Sequence, residues 1–248
     1  MNDMQAPHPP LREYYADEAA RGGWVRDLFD LTAVDYDRIE RAMALGSGSW
    51  YRGKALSRAG LESGMRVVDI GVGTGLTARQ AARLVGATGL VVGIDPSAGM
   101  IARAKVPAGV QLLIGSAEAI PLAAAAADFL SMGYALRHIG NLSAAFREFS
   151  RVLTPGGRMC LLEITQPRGR VARVLLKGYM RGVVPFAARY LAGKRDLSTL
   201  MRYYWDTIEA CAAPPAIIEA IREAGFIDVQ RHVELGIFSE YWARKPPA

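Results

Sequence analysis

The sequence predicts an α/β protein: a Rossmann-like, seven-stranded, mostly parallel sheet with helices on both faces and a helical cap. Three observations predict it. Short apolar runs alternate with helix-period segments from Met65 to Ile164, the pattern of βαβ units. The first of those runs ends in a glycine loop, Gly71-Val72-Gly73-Thr74-Gly75, where a strand would hand over to a helix. The alternation stops at residues 167–212, which are helix-like, and resumes as one more helix and two strands.

Each element has its own reason. Residues 1–10 are proline-rich and are expected to form a poorly ordered tail. Residues 11–60 read as helical, with Phe29, Val34, Ile39 and Met43 as inward positions and Gly46-Ser47-Gly48 as a break. The core is expected over 61–248, with the cap inserted in it. Met65–Ile70, Gly89–Asp95, Val110–Ile114, Asp128–Met132 and Arg158–Ile164 are apolar runs of strand length. Helices are expected over about 74–86, 97–105, 142–152 and Pro214–Ala224, and the last strands near 226–234 and 236–243. Thr154-Pro155-Gly156-Gly157 reads as a turn, because Pro pre-sets its first central position and Gly is free to take positive φ.

Composition excludes several classes. The two cysteines, Cys160 and Cys211, are far apart, which excludes a disulfide scaffold and a cysteine zinc site and fits a reducing compartment. No cluster of His and carboxylate ligands is visible, so no metal is expected. No apolar run reaches the ~18 residues of a spanning helix, and the start MNDMQAPHPP lacks the pattern of a secretory signal. A cytoplasmic protein is the expectation.

The net charge of +6 is concentrated. Residues 166–203 carry +8, from Arg168, Arg170, Arg173, Lys177, Arg181, Arg189, Lys194, Arg195 and Arg202 against Asp196, so the rest of the chain sums to −2. No nucleic-acid partner is expected from so local a patch. Arg170, Arg173, Lys177 and Arg181 are spaced to share one helix face, with Val174, Leu175 and Met180 on others. Such a face is either solvated or rests on anionic lipid, which would place the protein peripherally at a membrane surface.

The glycine loop limits what the sheet can hold. Glycines at the end of the first strand let a ligand approach the backbone, but the position a dinucleotide fingerprint would fill with Gly is Leu76. Asp69, just before the loop, would repel a pyrophosphate and suits an ammonium or sulfonium. Asp95, at the end of the second strand, is placed to accept both hydroxyls of a ribose, and Pro96 follows it. Two acids without a phosphate-clamping base favour S-adenosylmethionine over NAD or ATP. After the third strand, Ser116 could bond an adenine amine, while Met100, Ala117 and Ile120 could sandwich its ring. A plain loop with a buried Ala-Ile pair is the other reading of that stretch.

These residues resemble class I S-adenosylmethionine-dependent methyltransferases, and within them the ubiquinone/menaquinone C-methyltransferase family. The resemblance runs from about Leu28 to Arg244. It includes Phe29-Asp30-Leu31-Thr32-Ala33-Val34-Asp35-Tyr36-Asp37, the loop Asp69–Gly75, Asp95, Ala117-Glu118-Ala119, Tyr134-Ala135-Leu136-Arg137-His138, Arg151–Gly157 and Met201–Ile208. The chain departs from the family pattern at His138, where Asn is usual, at Ser116, where Asp or Asn is usual, and at Leu122, where Phe is usual. The resemblance implies a cofactor site of Tyr36, Asp69, Gly71, Gly73, Thr74, Gly75, Asp95, Pro96, Met100, Ser116, Ala117, Glu118 and Gly133, with S-adenosylhomocysteine as product.

The acceptor implied is a small aromatic or quinol-like molecule, with or without a prenyl tail. Tyr134, Tyr203 and Tyr204 are candidates to line its site or to be core packing. Arg137 stays protonated, so it would stabilise a developing phenolate or position a water that takes a ring proton. His138 would serve as a base, or be an ordinary satisfied loop histidine. N- or O-methylation of a lipid head group or secondary metabolite, and cofactor binding without turnover, are the competing readings. A homodimer is compatible with all of them.

Overall fold

A computed structural model of the chain describes residues 6–43, 47–167, 169–184, 186 and 195–248, apart from the side chains of residues 42, 43 and 195. The first five tail residues, the Met43 side chain, Gly46, Arg168, Arg189, Lys194 and the Arg195 side chain therefore lie outside the described residues. Two helices, α1 (Glu18–Met43) and α2 (Gly48–Arg58), precede the sheet. Then follow β1 (Arg66–Ile70), α3 (Leu76–Val85), β2 (Leu90–Asp95), α4 (Ala98–Arg103), β3 (Val110–Ile114), β4 (Ala127–Gly133), α5 (Leu142–Val152) and β5 (Leu153–Ile164). The cap contributes α6 (Arg170–Lys177), a π turn (Gly178–Val183) and α7 (Arg195–Ala210). Helix α8 (Pro214–Glu223) and the strands β6 (Ile227–Glu234) and β7 (Phe238–Arg244) close the chain.

The expected sheet is present, with seven strands in the order β3-β2-β1-β4-β5-β7-β6. Only β7 runs antiparallel to its neighbours β5 and β6. The inner strands are buried on both faces, which is why they read as continuous apolar runs and not as alternating ones. One face packs Val68, Ile70, Leu130 and Met132 against Phe146 and Phe149 of α5. The other packs Val67, Phe129 and Leu162 against Ala55 and Leu56 of α2. Strand order reverses between β1 and β4, and the crevice beyond their carboxyl ends is where open sheets take ligands.

Four expectations are corrected. Val34 is not an inward position of α1 but is 57% exposed, because Val25, Leu28, Thr32 and Asp35 hold the buried stripe. The tail is not wholly loose: Pro7 accepts a hydrogen bond from the Ala212 amide at 2.6 Å, and buried His8 meets the Arg21 guanidinium at 2.9 Å. The turn at 154–157 lies inside β5. Ala127 pairs with Leu153 and Phe129 with Arg158, so the turn bulges out of the ladder, with Gly156 at φ +77°.

The fourth correction concerns the basic face of the cap. Lys177 pairs with Glu209 at 2.6 Å, and Arg181 lies 3.5 Å from Asp206 and 3.7 Å from Glu13, so both turn toward acids on α7 and the N-terminal segment. Arg170 and Arg173 remain exposed. Beside them the cap presents apolar side chains to solvent: Val171 at 74%, Val174 at 69% and Leu175 at 67%.

Candidate active site

Among the described residues, two cavities open at the carboxyl end of the sheet. The first, about 330 Å³, is bounded by the glycine loop and the ends of β2, β3 and β4 on one side and by α1 on the other. The second, about 440 Å³, is enclosed by α1, α2, the cap, β5 and the β6–β7 hairpin. Tyr36 and Tyr134 belong to the walls of both, so the cavities are neighbours that share two aromatic side chains.

The first cavity collects Tyr36, Gly71, Gly73, Asp95, Pro96, Met100, Ser116, Ala117, Glu118 and Gly133 from the expected cofactor set. Gly73 has φ +53°, and no atom lies within 4 Å of where a Cβ would stand, so the loop leaves room against its backbone. The two Asp95 oxygens accept from the Gly73 and Ser97 amides, each at 2.8 Å, which fixes the carboxylate and leaves lone pairs on both oxygens. Burial pushes its carboxyl up to about 6, although those two amides pull the other way.

Four expected cofactor contacts are placed elsewhere. Asp69 is fully buried beneath the loop and lines neither cavity, because β1 pairs it with Ser131 of β4, whose hydroxyl donates to Oδ1 at 2.7 Å. Its Oδ2 has no partner, and burial pushes the carboxyl up to about 7. Thr74 donates to Asp37 of α1 at 2.5 Å and does not face the cavity. Gly75 caps α3 in the left-handed conformation and abuts Val106, and Ile120 belongs to the core beneath α5. Glu118 lines the cavity, but its Oε1 accepts from the amides of Gly140 and Asn141.

Helix α1 forms much of the opposite wall, through Arg21, Val25 and Phe29, which reasoning from the loops alone did not single out. Phe29/Asp30 and Tyr36/Asp37 are seven residues apart, which places them on one helix face about two turns apart. Phe29 and Tyr36 face the cavity, while Asp30 accepts from the Gly99 amide at 2.8 Å and from the Ser97 hydroxyl. With Asp37 on Thr74, the acids fasten α1 to the loops after β1 and β2.

Arg137, on the 3-10 turn after β4, lines the second cavity while being 2% exposed. It is ion-paired with Glu163 at 2.5 Å, donates to Thr207 at 3.2 Å and to the Tyr134 carbonyl at 2.9 Å, and lies 4.9 Å from the Tyr204 ring centroid. Tyr204 lines the same cavity and donates its hydroxyl to Tyr36 at 2.8 Å.

Neither His138 nor Tyr203 lines the second cavity. His138 lines the first cavity, stacked near Tyr203 and Tyr204, with Nδ1 3.3 Å from the Tyr203 hydroxyl. Burial, reinforced by the charge of Arg137, holds its pKa well below the ordinary histidine range. Tyr203 is fully buried between Tyr14 and Trp24 and lines neither cavity. Among the described residues, no group of three or more His, Cys, Asp or Glu could hold a metal.

Residues 16–245 match the ubiE/COQ5 methyltransferase family. The chain belongs to that family. It is a methyltransferase. It is 34% identical to the ubiquinone/menaquinone biosynthesis C-methyltransferase UbiE of Syntrophotalea carbinolica, over 87% of this chain and 92% of the relative. It is 32% identical to the 2-phytyl-1,4-naphtoquinone methyltransferase of Thermosynechococcus vestitus, over 86% and 94%. Its fold is like that of a methyltransferase of Thermotoga maritima described as a possible histamine N-methyltransferase. That match has a TM-score of 0.62 and 20% identity, over 88% of this chain and 98% of that one.

Proposed function

We propose that this methyltransferase binds S-adenosylmethionine in the first cavity and methylates a ring carbon of a quinol-like acceptor in the second. The observation that carries the proposal is the shared wall of Tyr36 and Tyr134 between a loop-built cavity and a largely apolar one. The curated relatives named for naphthoquinone and ubiquinone/menaquinone methylation support the acceptor class.

The residues present fit the cofactor. Asp95 has lone pairs free for ribose hydroxyls, Met100 and Ala117 offer apolar surface to an adenine, Ser116 a hydroxyl to its amine, and Gly73 leaves open space. When bound, the cofactor supplies a sulfonium methyl already activated toward a nucleophile. The chain's task is then orientation and exclusion of water. Arg137, permanently charged at the edge of the acceptor cavity, stabilises phenolate character in the ring and holds a water that removes the ring proton. His138, stacked beside Tyr203 and Tyr204, shapes the cofactor cavity.

The cap is proposed to meet an anionic lipid surface through Val171, Val174 and Leu175, with Arg170 and Arg173 beside them. Its neighbours Leu176 and Tyr179 line the acceptor cavity, so a lipid tail would have a short apolar path inward. No described helix is long and apolar enough to cross a membrane.

The test is transfer of a labelled methyl group from S-adenosylmethionine to prenylated and unprenylated 1,4-naphthoquinols. A product carrying the label on a ring carbon supports the proposal. Label found only as a methyl ether or on an amine, or no product with any quinol, would overturn it.

A further inference from the structure

The turn between β6 and β7 holds a residue of an unfavourable type. The Ile237 amide donates to the Glu234 carbonyl at 3.3 Å, and both residues between them have positive φ, Leu235 at +51° and Gly236 at +74°. Turns of that kind select Asn, Asp or Gly at both central positions, because the Cβ of other residues crowds the following carbonyl. Leu235 is 81% exposed, so packing within the fold does not offset that strain. Arg58 of α2 pairs with Glu234 at 3.1 Å and with fully buried Glu240 at 2.9 Å, which pins the strained hairpin against α2.

What Leu235 does border is the second cavity. Two more exposed apolar side chains border it from other elements: Trp50 of α2, 66% exposed, and Tyr179 of the π turn, 41% exposed. Side chains that line a cavity and are open to solvent mark its mouth. The same wall continues into part-buried Leu176 and buried Met180. Val171, Val174 and Leu175 are as exposed but line neither cavity, so the mouth is distinct from the cap face proposed to meet lipid.

We infer that Leu235 is a specificity-determining residue: with Trp50 and Tyr179 it forms an apolar lip that grips a hydrocarbon tail on the acceptor. The inference rests on the acceptor reading proposed above. The reacting ring must reach Tyr36 and Tyr134, where the two cavities meet, and the cofactor occupies the space beyond them. A tail on that ring can therefore leave only through the solvent-open mouth. There it covers three apolar side chains that the fold leaves exposed, and that burial favours the tailed acceptor over the bare ring. A strained residue that contributes no packing of its own is explained by what it touches in the complex.

The test compares bare 1,4-naphthoquinol with its geranylated form, using the full chain and S-adenosylmethionine in anaerobic buffer without vesicles or detergent. In wild type the geranylated quinol should have the higher kcat/KM. In L235N that preference should fall about tenfold, the scale of one lost leucine contact, through a higher KM for the geranylated quinol. L235M, which keeps an apolar side chain, should retain most of the preference. Because Asn suits the left-handed turn, L235N should also melt about 2 °C above wild type. A preference that is unchanged in L235N, or absent from wild type, overturns the inference alone. L235N melting below wild type also overturns it, since Leu235 would then serve the fold. Loss of vesicle binding with the preference intact would assign the lip to a lipid surface and overturn it too. Wild-type protein that methylates neither quinol overturns the acceptor reading, and this inference with it.

Discussion

The two cavities that meet at Tyr36 and Tyr134 are built by different means. The first is assembled from strand ends and the loops after them: Gly71 and Gly73 after β1, Asp95 and Pro96 after β2, Ser116 and Ala117 after β3, Gly133 closing β4. Its polar groups are held by backbone amides a few residues away or one strand over. The second takes its wall from α1, α2, the cap and the β6–β7 hairpin, and its charged groups are held by partners distant in sequence, as Arg137 is by Glu163 and Thr207. A site made of loops on a sheet can be changed residue by residue. A site made of packed helices puts the fold at risk when a charge is removed.

Four predictions test this contrast, the largest first. R137A should cost about 3–5 kcal/mol of stability, because it strands the fully buried Glu163, and it should abolish transfer; chemical denaturation of the two proteins measures it. A loss under 1 kcal/mol would remove the contrast. On the cofactor side, D95A should weaken S-adenosylhomocysteine binding by about a hundredfold in calorimetric titration, close to 2.7 kcal/mol, with the sheet intact. Unchanged affinity would mean that the loop backbone alone holds the ribose.

Asp69 sharpens the contrast through pH. A carboxyl raised by burial to about 7 gives stability that is fully present below the ordinary carboxylate range and is lost as pH rises through 7. D69N should therefore stabilise the unliganded protein at pH 8, by an amount on the order of 1 kcal/mol that a higher melting temperature reports, and the difference should narrow as pH falls toward 4. His138, whose depressed pKa acts in the opposite sense, loses its contribution as pH falls below the ordinary histidine range, but it is common to both proteins and cancels. Equal melting temperatures at pH 8 would mean that Asp69 is not penalised by burial. The smallest effect on stability is expected at the exposed cap. L175E should leave unfolding within about 0.5 kcal/mol of wild type while abolishing co-sedimentation with anionic vesicles, and retained sedimentation would remove lipid contact from the proposal.

What could be read in advance follows from range. The strands, the glycine loop, Asp95 and the Phe29–Asp37 segment were legible because each is a short pattern answering to local backbone geometry: period, turn chemistry, a carboxylate at a strand end. Charge spacing on the cap was equally visible, yet Glu209 and Asp206 on α7 and Glu13 decided where Lys177 and Arg181 point. Tyr203 and Tyr204 are adjacent and alike in sequence, but Tyr204 lines the acceptor cavity while Tyr203 is sealed among Tyr14 and Trp24.

The residues by themselves determined the sheet, the glycine loop at its carboxyl edge and the acid that ends β2, because hydrophobic period and turn residues act over a few positions. Only tertiary packing decided the rest: that Asp69 turns beneath its loop, that His138 stacks beside Tyr203 and Tyr204, and that Arg137 is paired with Glu163 at the edge of the second cavity. Burial and charge pairing are sums over neighbours brought together from the whole chain, and no stretch of sequence contains that sum.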